Sequence, residues 1–127
     1  MSIGFNRGAF NRCFHPIFLA VWVVQLVAVI AGSLAPGRMI PSVIGAHDKW
    51  AHFGGYLLLG FLPCAGARSP KLGILLALAA IPLGAALELG QHFVPGRTPD
   101  WADAAANSVG VLVGLAVADL YRSARLR

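Results

Sequence analysis

The residues able to do chemistry in this chain fall into three short stretches. Asp48, His52 and Tyr56 recur at a spacing of four, with Lys49 beside them, which on a helix makes one polar stripe. Glu88, Gln91 and His92 stand three and four apart, Asp100, Asp103 and Asn107 step by three and four, and Arg97 lies between the two groups. A histidine paired with a carboxylate can serve as general acid and base, which makes His52, Glu88 and Asp103 the catalytic candidates. Lys49 and Arg97, with the N-termini of two helices, offer positive potential to a phosphate or carboxylate head group. Asp48, His52, Glu88 and Asp103 are also metal-ligand types. Their spacing matches no recognised ligand motif such as HExxH, so no metal is expected, and the pattern names no cofactor. No serine or cysteine is placed as a nucleophile: Cys64 belongs at the far end of its helix, and Ser108 has no basic neighbour at helical spacing.

The competing structural reading is a clamp. In it Lys49 and Arg97 neutralise Glu88 and Asp103, while Asp48 and Asp100 cap the helices that begin there. The polar groups outnumber what a clamp and two caps require, which favours a binding or catalytic layer.

The elements that must position these residues are apolar. Of 127 residues 57% are hydrophobic and 12% charged, and the mean hydropathy is +0.72. Together these values exclude an ordinary water-soluble domain and point to one small all-α membrane domain, 1–127. The net charge of +5 does not indicate nucleic acid, because the basic residues are scattered between apolar stretches and form no basic face with interleaved aromatics. Four helices are expected, over about 16–34, 49–67, 72–93 and 101–121, each near the length that crosses a core of about 30 Å. Pro36, Gly37, Pro41 and Gly45 break the chain after the first, Arg68 to Lys71 make a tight turn between the second and third, and 94–100 is the last loop. Pro63 and Pro82 fall inside helices and read as kinks, which neighbouring helices in a bilayer tolerate.

A cleavable leader is the rival reading of 16–34, since Arg7 and Arg12 precede it and Ser33-Leu34-Ala35 weakly resembles a cleavage site. The stretch exceeds a normal leader core and Pro36 would follow the cut, so a retained span is expected. Arg7, Arg12, Arg68, Lys71, Arg122, Arg125 and Arg127 fall on one side of such a bundle, against Arg38, Lys49 and Arg97 on the other. Seven against three places both termini in the cytoplasm and the three polar stripes together at the outer surface. Ionisable groups there should turn inward to pair or to line a watery cavity. Gly84 continues the Glu88 face, while Gly110 and Gly114 form a GxxxG that allows close helix contact, within the bundle rather than between protomers. Trp50, Trp101 and Tyr121 read as interfacial anchors, His15 and His47 as bystanders, and Cys13 and Cys64 as structural residues on the reducing side.

The set Asp48-Lys49, His52, Tyr56, Glu88, Gln91, Pro95-Gly96-Arg97, Asp103, Asn107, Gly110 and Gly114 resembles VanZ-like membrane proteins. The resemblance covers about residues 45–118, three of the four expected helices. It implies a multi-pass protein of the bacterial cytoplasmic membrane, associated through the family's namesake with teicoplanin resistance, and marks these positions as signature residues. It supplies no reaction. The functions to weigh are therefore a non-enzymatic binder of a lipid-linked or amphiphilic envelope molecule, an intramembrane enzyme on a cell-wall or lipid precursor, and an ion or proton transporter. Membrane lipids are the expected partners and nucleic acid is not; the oligomeric state stays open.

Overall fold

In the computed structural model, residues 14–127 are described; Arg7, Arg12 and Cys13 lie outside them. Helix α1 spans Pro16–Leu34, followed by a 3-10 turn at Gly37–Met39 and a short helix α2 at Ser42–Ala46. Helices α3 (Asp48–Gly66), α4 (Pro70–Gly90) and α5 (Trp101–Arg125) complete the fold, with a 3-10 turn at Gln91–Phe93 extending α4. The expected segments are all present, the first at its expected bounds and the other three with one or both ends shifted. Pro70 and Lys71 open α4 instead of belonging to the turn, α5 runs one turn further through Arg122 and Arg125, and the loop expected at 35–47 contains α2.

Proline sets most of these boundaries. A residue before proline is pushed out of the helical region by its neighbour's ring. His15, Ala35, Ile40, Ser69 and Val94 all precede a proline, and all are extended, with ψ between 120° and 139°. Pro16 and Pro70 then occupy first-turn positions, where the missing N–H has no partner to lose. Inside α3 and α4 the helix continues through Pro63 and Pro82.

Helices α1, α4 with its 3-10 extension, and α5 are long and apolar enough to cross a membrane. Helix α3 is not among them, because Asp48, Lys49 and His52 occupy its first turns. It is nevertheless the central element, packing against α1, α4 and above all α5. The core beside it holds Tyr56, Leu59, Ala80 and Val111, with a second group of Cys64, Ala77 and Ala118 further along. The outer face of α1 stays apolar and exposed, Ile17, Val24 and Val27 each being at least 60% accessible.

The α3–α5 contact is made backbone to backbone. Gly110 lies against the Phe53 carbonyl, Gly114 against the Leu57 carbonyl, and Gly60 against Val111 of α5, so that a Cβ at any of the three would overlap main-chain atoms. The GxxxG therefore packs inside this chain. Two arginines tie off helix ends that would otherwise leave carbonyls without donors. Arg97 donates to the carbonyls of Gly32, Ser33 and Ala35 at the end of α1. At the opposite end of the bundle Arg122 donates to Cys64 and Ala67 at the end of α3, both at 2.7 Å. Gly96, with φ +75°, turns the last loop so that Pro95 accepts from the Gly37 N–H at 3.1 Å, docking it on the loop after α1.

Forcing a side chain between two backbones costs about 1–3 kcal/mol or more where neither can move. Gly114→Leu is thus expected to lower the detergent melting temperature markedly, while Gly32→Ala, which meets nothing within 4 Å, should leave it unchanged or raised. Equal melting of Gly114→Leu and wild type would contradict the seam.

Candidate functional site

The seam brings the first three turns of α3 against the start of α5 and the end of α4. Asp48, His52 and Tyr56 lie on one face of α3, and across from them stand Asp103 and Asn107 of α5 and Glu88 of α4. Of these, Tyr56, Glu88, Asp103 and Asn107 are buried, and the His52 side chain is only 10% exposed.

Each side chain has a distinct task. Lys49 reaches sideways to Asp100 Oδ2 at 2.8 Å and Asp103 Oδ1 at 3.2 Å, joining the start of α3 to the start of α5. Asp100 is the N-cap of α5, its Oδ1 accepting from the Ala102 N–H at 2.9 Å. The Asp100 N–H in turn points at Glu88 Oε2, 3.4 Å away. His52 is held by Asn107, with Nδ1 2.9 Å from Oδ1. Its other nitrogen, Nε2, faces Asp48 Oδ1 at 3.5 Å and Asp103 Oδ2 at 3.8 Å. Glu88 Oε1 approaches His52 from the Nδ1 side at 3.9 Å. Gly84 makes room beneath, since a Cβ there would stand 3.1 Å from the Tyr56 hydroxyl and 3.2 Å from Asn107 Nδ2.

Two elements of the clamp reading change. Among the described residues Arg97 pairs with no carboxylate; its donors go to the end of α1, because the loop that carries it docks there. Asp48 does not cap α3, whose N-cap is His47 with no side-chain hydrogen bond; it stands inside the first turn, facing His52. Gln91 is buried in the 3-10 turn with its amide nitrogen unpartnered. His92 is exposed beside Asp100 and Trp101, lining a small separate cleft.

Beside this cluster, between α1 and α3, lies a cavity of about 260 Å³. Val29, Ile40 and Ile44 supply apolar wall, and Asp48, His52 and Arg97 edge it at the site end. Gln25 and Ser33 of α1 also line it, and the Gln25 amide donates to the Gly55 carbonyl at 3.1 Å. Neither had been singled out, although a lone glutamine in the middle of an apolar helix is a signal of an inward-facing polar contact. Exposed Trp50, Phe93 and Trp101 ring the same end of the bundle. The arrangement can hold a proton or a cation at His52, and can seat a polar group at the mouth of an apolar cavity.

Comparison with protein-family models, with curated proteins and with solved structures returns no match.

The Lys49 hydrogen bond, and after it the Ala102 N–H, hold the Asp100 carboxyl below its ordinary value. A carboxylate depressed in the folded state contributes fully above the unfolded value of about 3.9, and the contribution is lost as pH falls through the folded value. Asp100→Ala should therefore melt below wild type at about pH 7, with Asp100→Asn between them because asparagine retains the cap. The gap between Asp100→Ala and wild type should narrow below about pH 4. Melting curves of the three in detergent at both pH values check this, and a gap independent of pH would contradict it.

Proposed function

We propose that this chain is a VanZ-like, multi-pass protein of the bacterial cytoplasmic membrane that binds a lipid-linked or amphiphilic cell-envelope molecule, its head group entering the polar layer at the outer leaflet. The observation that carries this reading is the cavity between α1 and α3. It has apolar walls suited to a chain and a mouth edged by Asp48, His52 and Arg97 suited to a head group.

Four spans follow if α3 crosses with its neighbours. It has 19 residues, as α1 does, and lies among three helices that are apolar enough to cross. In its first turns His52 is covered by α4 and α5, Asp48 borders the cavity toward α1, and exposed Lys49 is paired with Asp100 and Asp103. Charge supports the orientation. Arg68, Lys71, Arg122 and Arg125 gather at the end away from the site, against Arg38, Lys49 and Arg97 at the site end. The resemblance of the polar and glycine positions to VanZ-like proteins is the ground for a role in the envelope and, with it, a link to glycopeptide resistance.

The alternative of an intramembrane enzyme on a cell-wall or lipid precursor draws on one observation: His52 stands between the carboxylates of Asp48 and Asp103, with Glu88 behind. That reading predicts turnover lost in His52→Asn, where a binder loses only affinity. A proton or ion transporter has less support, because beyond Tyr56 the described core is apolar, through Leu59, Ala77, Val111 and Ala118.

Lipid-resolved mass spectrometry of the detergent-purified protein tests the binding reading. Wild type should carry a co-purifying amphiphile, and Val29→Trp, which fills the cavity, should lose at least tenfold of it while melting normally. Equal occupancy in the two would overturn the assignment of the cavity.

A further inference from the structure

The orientation of His52 has a chemical consequence. Asn107 Oδ1 can only accept, so the 2.9 Å contact places a proton on His52 Nδ1. In the neutral ring Nε2 then presents a lone pair, and what it faces are two more acceptors, Asp48 Oδ1 at 3.5 Å and Asp103 Oδ2 at 3.8 Å. Three ligand atoms converge there, with Nε2 too far from either oxygen for a strong hydrogen bond. One atom from each of the three residues lies within 4.8 Å of the others. A tetrahedral ion with bonds of about 2.0–2.2 Å has ligand–ligand edges of roughly 3.3–3.6 Å, so a small closure of this triad would seat one.

We infer that Asp48, His52 Nε2 and Asp103 form a binding site for a divalent transition-metal ion of the zinc class. One nitrogen and two carboxylates suit such an ion better than magnesium or calcium, which prefer all-oxygen shells. The two carboxylates balance its charge. The supporting contacts are already in place: Asn107 orients the imidazole through its second nitrogen, and Lys49 holds Asp103 by Oδ1 and leaves Oδ2 for the ion. Glu88 is outside the set, since it approaches the Nδ1 side of the ring.

The His52 side chain, only 10% exposed, turns Nε2 into the gap between the two carboxylates. Tyr56, one turn below His52 on the same face, lines the cavity and is 2% exposed, and its hydroxyl has no hydrogen-bond partner. That hydroxyl points toward Gly84 of α4 beneath the polar layer, away from the Nε2 face of His52. With three protein ligands the ion keeps an open fourth position, and Asp48 and His52 both border the cavity. In the binding reading above, that position is where an anionic head group would meet the ion. This last step rests on that reading; the ion site itself does not.

The test uses metal-stripped, full-length protein in detergent, titrated with zinc ion alone by calorimetry and by competition with a chromophoric chelator. Wild type should take up one zinc per chain. Asp48→Asn, which keeps the size and polarity of the side chain, and His52→Asn should each weaken uptake at least a hundredfold. Asn107→Leu should weaken it by about 10–100-fold, as expected for loss of an orienting contact. His47→Gln and His92→Gln, altering exposed histidines elsewhere, should bind like wild type. Absence of zinc uptake by wild type, or uptake by folded Asp48→Asn equal to wild type, would overturn the site. Zinc binding retained in Val29→Trp, which should lose the amphiphile, separates failure of the ion site from failure of the cavity.

Discussion

At Gly60, Gly110 and Gly114 the backbones of α3 and α5 touch, and the geometry of the polar layer depends on that contact. Helices kept apart by ordinary side chains stand about 8–10 Å between axes. At that spacing the short side chains of Asp48, Asp103 and Asn107 would fall short of their present partners. With glycine at the crossing, His52 Nδ1 comes within 2.9 Å of Asn107 and Lys49 Nζ within 3.2 Å of Asp103. Gly84 extends the same logic to α4, admitting the Tyr56 ring and the Asn107 amide under Glu88. Small residues are thus what allow short polar side chains to meet in an otherwise apolar bundle.

Once brought together, those groups must satisfy one another. An uncompensated charge in a low-dielectric setting is costly, and partial pairing leaves the remainder exposed to that cost. Lys49 answers Asp100 and Asp103, and the capped start of α5 answers Glu88 through the Asp100 N–H. The His52 Nε2 face, with Asp48 Oδ1 and Asp103 Oδ2, is the place where acceptors outnumber donors. Two arginines are committed to backbone: Arg97 holds α1 and the last loop to the site end, and Arg122 closes the far end of α3. Neither supplies charge to the His52 Nε2 face, whose own groups are carboxylate and imidazole.

Much of this was legible in the residues because two simple periodicities govern it. Spacings of three and four put Asp48 with His52, and Asp103 with Asn107, on single faces, and alternation of apolar segments brought those faces to one end. Proline positions marked the helix boundaries to within a few residues for the steric reason given above. What was not legible depends on rotation about helix axes and on backbone acceptors, neither of which spacing encodes. Arg97 chose the carbonyls of α1 over Glu88, Glu88 came to the wrong side of His52 to join Asp48 and Asp103, and Gln25, one of two polar interruptions in the first apolar stretch, found its acceptor in the Gly55 carbonyl. The GxxxG was visible as a contact motif, yet only the fold shows that Phe53 and Leu57 are its partners.

The placement of this bundle in a membrane is tested most directly by site-specific labelling, in cells whose copy of the protein has Cys13 and Cys64 replaced by alanine. Thr98→Cys, in the loop beside the polar layer, should react with a membrane-impermeant maleimide in intact spheroplasts, and Ser123→Cys, near the end of α5, only after permeabilisation. The reverse pattern would put the polar layer on the cytoplasmic side, and labelling of both sites in intact spheroplasts would remove the even number of spans on which the outer-leaflet site depends.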